Sequence, residues 1–310
     1  MKALQYKTFG TPEVLEITNL SVPQAGFGQV RVKVSAVGLN PMDWLIVGNE
    51  RMAQNFGVKL PQIFAYDFSG LVDAVGEGVT GFAVGDRVFG TTYNGAAAEQ
   101  IVVSVLPTAR GHLFHTPSEI SDEIAATLGV AGMTAAVAVR KVRVGPMDTV
   151  LIGGASGGVG VFAVQLAKLA GARRVIGTAS DSTAGFLAEL GAEQVAYGPG
   201  LVERIKDLGI TAAVDLFSHE TLEAALAVGV PAEKITTVLM FPAPPAGVST
   251  STGGEGTDEE MQQILEALIT GKLTVPIAGS FQLGDFRKAI ELQSSRHAHG
   301  KVILTLGENK

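Results

Sequence analysis

The 310-residue chain is long enough for about two average domains and for a large apolar core. It contains no cysteine, which excludes disulfide frameworks, thiol nucleophiles and thiolate metal sites. Its 23 basic and 30 acidic residues give a net charge of −7 and form no long basic run. Together with the absence of a basic-aromatic signature, this balance argues against nucleic acid or an anionic membrane surface as a partner.

Composition also places the protein among ordered globular chains. Hydrophobic residues make up 46% of the sequence and charged residues 17%, with 39 glycines, which indicates buried strands joined by tight turns rather than disorder. The N-terminal residues contain no apolar core of signal-peptide type. The longest apolar stretch, residues 125–139, is shorter than the ~20 residues that a membrane-spanning helix needs. We therefore expect a soluble, cytoplasmic protein that has no membrane partner.

The first part of the chain, up to about residue 120, consists of segments typical of short strands separated by glycine turns. Residues 30–34 and 70–75 are examples of such strands, and a short helix is predicted over residues 41–47. No long helical stripe of apolar residues interrupts them. The pattern predicts a sheet-rich, barrel-like domain.

The pattern changes near Ser121, the predicted N-cap of a helix over residues 122–128. From Thr149 onward apolar strands and helices alternate, which predicts parallel strands joined by right-handed crossovers. The predicted strands are 149–152, 174–179, 194–196, 212–216 and 235–240, and the predicted helices are 159–170, 183–190, 201–208, 220–227 and 258–270.

The last part of the chain returns to a mixed pattern. Residues 242–256, rich in Pro, Gly, Ser and Thr, predict a loop, and residues 285–294 predict an amphipathic helix. A strand predicted over residues 301–306 is expected to rejoin the first domain. The fold class is therefore α/β, with a Rossmann-type doubly wound parallel sheet domain over residues 122–276 and a β-rich barrel-like domain built from residues 1–121 and 277–310.

A small-residue turn connects the first strand of the alternating region to its first helix. The turn consists of Ala155, Ser156, Gly157, Gly158, Val159 and Gly160. Aligned as Ala-x-Gly-x-x-Gly, it is the dinucleotide fingerprint with alanine in the first glycine position. Gly157 lets the backbone approach a pyrophosphate, and Gly160 lets the helix pack close to the strand. A glycine turn alone is common in α/β proteins, but its place between a strand and a long helix favours nucleotide binding.

The end of the second predicted strand indicates which coenzyme binds. An acidic residue there would hold the ribose 2′-hydroxyl of NAD, but the position is occupied by Ala179 and followed by Ser180. Without that carboxylate a 2′-phosphate meets no charge repulsion, so NADPH is favoured over NADH. Asp181 weakens this argument, because its carboxylate would repel phosphate if it turned inward. Ser180 is either a phosphate ligand or a helix N-cap.

Residues 148–168 resemble the quinone oxidoreductase signature of the medium-chain dehydrogenase/reductase superfamily. Beyond the glycine turn, the segment keeps Gln165 and Lys168, while Met147 stands where the family usually has glycine. Further matches occur along almost the whole chain, at residues 36–43, 66–70, 84–88 and 299–302. The resemblance implies a GroES-like catalytic domain from both chain ends, a nucleotide domain from the middle, a coenzyme in the cleft between them, and a homodimer.

The resemblance also implies that this chain is a zinc-free member. Asn40 lies where zinc-dependent relatives have their first cysteine ligand, and Tyr66-Asp67 replaces a His-Glu pair. Without a metal to polarise an alcohol or carbonyl oxygen, a conjugated acceptor is easier to reduce, because negative charge spreads onto oxygen. Quinones and α,β-unsaturated carbonyl compounds both fit. The five histidines have no partners that indicate a metal site.

Three residues are candidates for catalysis, each with a structural alternative. Asn40 matches a family position near the nicotinamide and would donate its amide to a developing oxyanion, or else form the turn before Pro41. Tyr66 would line the substrate cleft or donate a proton, or else belong to the core. Tyr93, in a glycine-rich segment, would line the cleft mouth or simply pack in a loop.

The remaining coenzyme candidates come mainly from the resemblance. Thr134 matches a position beside the nicotinamide ribose, and Met240 and Phe241 close the fifth predicted strand of the nucleotide domain, where ligands gather. Arg296 matches an arginine that reaches the 2′-phosphate, and Tyr197 lies about one position before an expected tyrosine. An alternative to an enzyme is a non-catalytic NADPH-binding sensor or interaction protein on the same scaffold.

Overall fold

The computed structural model describes residues 1–106, 111–295 and 297–307. The chain divides into two compact units, Met1–Val130 together with the residues from Ile277 onward, and Ala131–Pro276. The first boundary between the units follows Val130, nine residues after the expected boundary at residue 121. Hydrogen bonds keep Asp122 in the first unit. The Arg87 guanidinium donates to the Asp122 carboxylate at 2.6 Å and to the Ile120 carbonyl at 2.7 Å.

The described residues form sixteen strands and ten α-helices. The strands are β1 Lys2–Tyr6, β2 Glu16–Asn19, β3 Gln29–Leu39, β4 Gln62–Ile63, β5 Asp67–Val75, β6 Arg87–Thr92, β7 Gln100–Ser104, β8 Gly111–His115, β9 Thr149–Ile152, β10 Arg174–Ala179, β11 Glu193–Ala196, β12 Ala212–Asp215, β13 Ile235–Thr237, β14 Ser249–Thr250, β15 Ile277–Gln282 and β16 Lys301–Thr305. The helices are α1 Pro41–Val47, α2 Glu50–Asn55, α3 Asp122–Ala125, α4 Met133–Lys141, α5 Gly160–Leu169, α6 Ala184–Leu190, α7 Leu201–Ile205, α8 Glu220–Ala227, α9 Asp258–Ile269 and α10 Phe286–Ser294. None of the helices in the described residues is long and apolar enough to cross a membrane.

The long strand β3 organises the first unit. It pairs antiparallel with β5 along one edge, and its other edge is shared between β7 at the start and β16 at the end. The last strand therefore does rejoin the first part of the chain, as predicted. A second sheet, in the order β2-β1-β4, packs its Leu4 into the same apolar core as Val32, Phe68 and Val302.

The second unit contains a six-stranded parallel sheet in the order β11-β10-β9-β12-β13-β14. Numbered within this unit, the strand order is 3-2-1-4-5-6. The chain builds the sheet outward from β9 to β11 on one side and then continues from β12 on the other side of β9, so the strand order reverses between β9 and β12. All four residues of β9 are buried, as expected for a central parallel strand covered on both faces.

The predicted elements around the fifth strand of this sheet are partly wrong. The strand β13 ends at Thr237, not at Met240, because the Thr237 hydroxyl accepts a hydrogen bond from the Leu239 amide and turns the chain out of the sheet. The expected loop at 242–256 contains β14, which pairs parallel with β13. A two-residue strand among Ser, Thr and Gly residues carries too little hydrophobic pattern to be detected.

Candidate functional site

The glycine turn of the second unit is hydrogen-bonded to β10 and β12, the two strands that flank β9. The Gly153 amide donates to the Val214 carbonyl of β12 at 2.8 Å. The Gly154 amide donates to the Thr178 hydroxyl at 3.2 Å, and the Ala155 amide donates to the Thr178 carbonyl of β10 at 3.2 Å. The turn is therefore fixed where the strand order reverses, which is where ligands bind in sheets of this kind.

Very close packing of backbone against backbone shapes the same turn. A Cβ atom on Gly160 would lie 2.3 Å from the Gly154 carbonyl oxygen, and one on Gly177 would lie 2.6 Å from the Ala155 Cβ. Gly154 itself has a φ of +65°, a left-handed conformation that favours glycine. Helix α5 can therefore begin directly against the end of β9 only because these positions lack larger side chains.

Backbone amides at the start of α5 remain without acceptors. Within the described parts of the chain, the amides of Ser156, Gly158 and Val159 donate to no protein oxygen. A Cβ on Gly157 would meet only the Gly154 carbonyl, at 3.3 Å, so the space in front of it is open. Free N–H groups at a helix N-terminus favour an anion. The residues present therefore fit the diphosphate of a dinucleotide.

The end of β10 carries no acidic side chain, and its surroundings are ordered by hydrogen bonds. Ala179 is buried, and its carbonyl accepts from Gln194 Nε2 at 3.0 Å. The same Gln194 nitrogen donates to the Asp181 carboxylate at 3.1 Å, which holds that carboxylate beside β11. The Ser180 hydroxyl lies 3.1 Å from the Ser182 hydroxyl and does not cap the turn that follows.

The other coenzyme candidates lie in different settings. Tyr197, directly after β11, is 57% exposed, whereas Thr134 is buried in the first turn of α4. Met240 and Phe241 lie beyond the end of β13 and are 45% and 76% exposed. Arg296 lies outside the described residues.

The first unit contains a buried cluster of charged and amide side chains. Its members are Asn40, Asp43, Asp67 and Lys301, each at most 2% exposed. Lys301 Nζ donates to Asn40 Oδ1 at 2.6 Å and to the Leu39 carbonyl at 2.9 Å. Asn40 Nδ2 donates in turn to Asp67 Oδ2 at 2.9 Å. An ammonium, an amide and a carboxylate thus form one chain of hydrogen bonds in the interior.

Burial changes the ionisation of this cluster. It raises the pKa of Asp67 to about 6, against the opposing attraction of Lys301 and hydrogen bonds from Asn40 and the Val130 amide. Burial also raises the pKa of Asp43 well above its usual range and lowers the pKa of Lys301. Two carboxyl groups share one ammonium, and Asp43 Oδ1 has no hydrogen-bond partner. Burial therefore pushes Asp43 toward its neutral form.

Two members of this cluster, Asn40 and Asp67, lie at positions where the resemblance would place zinc ligands. The Lys301 ammonium already binds Asn40, and Asn40 already binds Asp67. A divalent cation there would be repelled by the Lys301 ammonium in a low-dielectric interior. No group of three histidine, aspartate or glutamate side chains in the described ranges is arranged to hold a metal. These residues do not fit a zinc ion.

The three catalytic candidates all lie in the first unit. Tyr66, 5% exposed, packs with Ile46 and Ala53, and its ring centroid is 5.6 Å from that of Tyr93. Burial raises the pKa of Tyr66 far above its usual value, so its hydroxyl stays protonated. Asn40 uses both amide hydrogens, on Asp67 and on the Gly38 carbonyl at 3.3 Å. Donation from Asn40 to a substrate would require one of these bonds to break.

Sequence reasoning missed two members of the buried cluster. Asp43 and Lys301 lie in segments that match the family, but the sequence indicates no role for either. The signal for Asp43 was its position three residues after Asn40, whose backbone amide donates to Asp43 Oδ2 at 2.8 Å. Nothing local to Lys301 indicates that it pairs with Asn40, because 261 residues separate them.

The strand order and the glycine turn define a Rossmann-type domain, here in one chain with a β-rich unit. The sequence matches the family models described as alcohol dehydrogenase GroES-like domain, over residues 26–148, and zinc-binding dehydrogenase, over residues 158–292. The chain therefore belongs to the medium-chain dehydrogenase/reductase superfamily and, within it, to the quinone oxidoreductase family. It is an oxidoreductase.

Individual relatives agree with this assignment over their full length. Quinone oxidoreductase of Sus scrofa is 29% identical, with 99% of this chain and 98% of the relative covered. Acryloyl-coenzyme A reductase of Metallosphaera sedula is 27% identical, with 98% and 100% covered. A mycobacterial structure in complex with NADPH is 27% identical, with 99% and 100% covered and a TM-score of 0.84. Several other quinone oxidoreductases, 31 to 37% identical, align over 52 to 68% of their own length.

Replacing Gly160 by alanine tests the close packing of the turn. We expect Gly160→Ala to lower the free energy of unfolding by about 2 kcal/mol, because the new methyl group overlaps the Gly154 carbonyl. Gly185→Ala is the control, since a Cβ at Gly185 meets nothing within 4 Å. Urea denaturation of both variants checks this, and equal midpoints would contradict the packing argument.

Replacing Lys301 by methionine tests the buried cluster. We expect Lys301→Met to lower the free energy of unfolding by about 3–5 kcal/mol, because Asp43 and Asp67 lose the nearby ammonium that favours their charged forms. Without the ammonium, Asp43 and Asp67 must be protonated in the folded protein, whereas in the unfolded chain they ionise above about pH 4. The loss in the free energy of unfolding therefore grows from about pH 5 to about pH 8.

Lys288→Met is the matched control, because Lys288 forms an exposed ion pair with Asp285 in the same unit. Thermal melts of both variants at the two pH values give the comparison. A Lys301→Met protein that melts together with Lys288→Met at both would show that the cluster contributes nothing.

Proposed function

We propose that this protein is an NADPH-dependent oxidoreductase that reduces quinones or α,β-unsaturated carbonyl compounds without a metal ion. The observation that carries this proposal is that the backbone amides of Ser156, Gly158 and Val159 have no protein acceptor in the described residues. The space beside Gly157, in the same turn, is open. The full-length relatives, a quinone oxidoreductase and an acryloyl-coenzyme A reductase, support this class of acceptor. The NADPH complex of the mycobacterial structure supports the coenzyme.

The second unit would bind the coenzyme, which supplies a hydride when bound. Residues 155–160 would hold its diphosphate through backbone amides. The absence of an acid at Ala179 removes the group that would repel a 2′-phosphate. Ser180 is the next residue, and Tyr197 directly follows Ala196, the register partner of Ala179 on β11. Thr134, Met240 and Phe241 are proposed contacts to the nicotinamide end, and Arg296 a further contact to the phosphate.

The first unit would bind and polarise the acceptor. The Tyr66 hydroxyl, which burial keeps protonated, would donate to the oxygen on which negative charge develops. Tyr93, whose ring packs against Tyr66, would line the same place. Asn40 would act as an anchor for the buried cluster rather than as a donor, since its amide hydrogens are already engaged.

Turnover with a panel of acceptors tests the proposed activity. We expect NADPH oxidation, followed by its absorbance, with at least one quinone or one enone, and weaker activity with NADH. Tight NADPH binding without turnover of any acceptor would overturn the proposed activity and favour the non-catalytic sensor.

A Tyr66→Phe variant tests the proposed donor. Removing one donor to a developing oxyanion typically lowers kcat roughly 100-fold, so we expect a loss of this order with the NADPH Kd unchanged. Tyr6→Phe is the control, because burial also raises the pKa of Tyr6, to about 12, in the same unit. Steady-state kinetics give the comparison, and equal kcat values for both variants would remove Tyr66 from catalysis.

A further inference from the structure

An arginine outside the glycine turn holds the loop that follows β11. Arg204, in α7, donates hydrogen bonds from its guanidinium to four consecutive backbone carbonyls. The acceptors are Ala196 at 2.9 Å, Tyr197 at 3.2 Å, Gly198 at 2.8 Å and Pro199 at 3.0 Å. One side chain therefore fixes the whole segment that leaves the strand.

The Arg204 guanidinium lies at the carboxyl ends of the parallel strands, beside the end of β10. Ala196 is the register partner of Ala179 on the neighbouring parallel strand, and such strands lie about 5 Å apart. The end of β10 is where a Rossmann domain meets the 2′ position of the adenosine ribose. Arg204 therefore places a positive charge one strand away from that position.

The charge of Arg204 is not neutralised by a protein carboxylate. In the described ranges no carboxylate oxygen lies within 4 Å of its guanidinium, whereas Arg174, at the other end of β10, pairs with Glu193 at 2.7 Å. Carbonyl groups orient a guanidinium without cancelling its charge. Four of its five N–H groups are used, so one remains for an anion.

The loop that Arg204 holds begins with an exposed aromatic residue. Tyr197 is 57% exposed, and the next residues include Gly198 and Gly200 with φ values of +88° and +85°. A loop with two left-handed glycines has many conformations in isolation. The four bonds from Arg204 select one of them and thereby fix where Tyr197 leaves the strand.

We infer that Arg204 is the residue that makes this protein prefer NADPH over NADH, by placing its charge near the 2′-phosphate and by positioning Tyr197. The inference rests on the proposed NADPH-dependent function and assigns its coenzyme selection. The nearby Asp181 carboxylate is held by Gln194 on the β11 side.

Coenzyme binding by Arg204 variants tests the inference. The dissociation constants of NADPH and NADH are measured by calorimetry for the wild type, Arg204→Gln and Arg204→Lys. We expect Arg204→Gln to weaken NADPH at least about tenfold and to leave NADH within about twofold, since only NADPH carries the extra phosphate. Arg204→Lys keeps the charge but loses the planar fork, so it should retain part of the preference. Arg174→Gln is the matched control and should change neither constant.

The outcomes separate this inference from the function on which it rests. If Arg204→Gln weakens both coenzymes equally, Arg204 is merely structural and the inference is wrong. It is also wrong if wild type binds NADPH and Arg204→Gln binds it equally well, while the proposed function stands. Wild type that binds neither coenzyme would overturn both. Retained NADH binding by Arg204→Gln shows that the variant is folded.

Discussion

The contact on which the rest of the structure depends is the one between the start of α5 and the backbone of the glycine turn. Gly160 approaches the Gly154 carbonyl so closely that even a methyl group would overlap it. This contact brings the end of β9 and the N-terminus of α5 together, and it leaves the amides between them without acceptors. Unsatisfied amides at a helix N-terminus carry partial positive charge. An anion site is thus a direct result of how the helix and the sheet pack.

A second constraint acts in the other unit, where Lys301 is enclosed with Asp43 and Asp67. Burying an ammonium costs several kcal/mol unless it is paired and hydrogen-bonded, and here Asn40 and the Leu39 carbonyl accept its hydrogens. The amide of Asn40 also connects the cation to Asp67. The arrangement places the Lys301 ammonium in hydrogen-bond contact with Asn40, one of the positions at which the resemblance would place a zinc ligand.

The sequence predicted those features that depend on neighbouring residues. The strands β9 and β10 and the helices α1 and α8 have the predicted bounds. The two strands are short runs of almost entirely buried residues, and α1 begins directly after its N-cap, Asn40. The fold class followed from the alternation of such elements, and the family from segments that match in order along the chain.

The sequence did not predict features that depend on residues far apart in the chain. The role of Lys301 requires Asn40, and the strand β14 requires β13 as a partner, so neither has a local signal. Long-range pairing, rather than propensity, decides such positions.

Amide hydrogen exchange of the glycine turn, measured with and without saturating NADPH, tests the central claim most directly. If backbone amides hold the diphosphate, the exchange of Ser156, Gly158 and Val159 slows on binding, while the exposed loop around Gly171 is unchanged. If NADPH binds and these three amides exchange as fast as before, the diphosphate lies elsewhere and the account of the site is wrong.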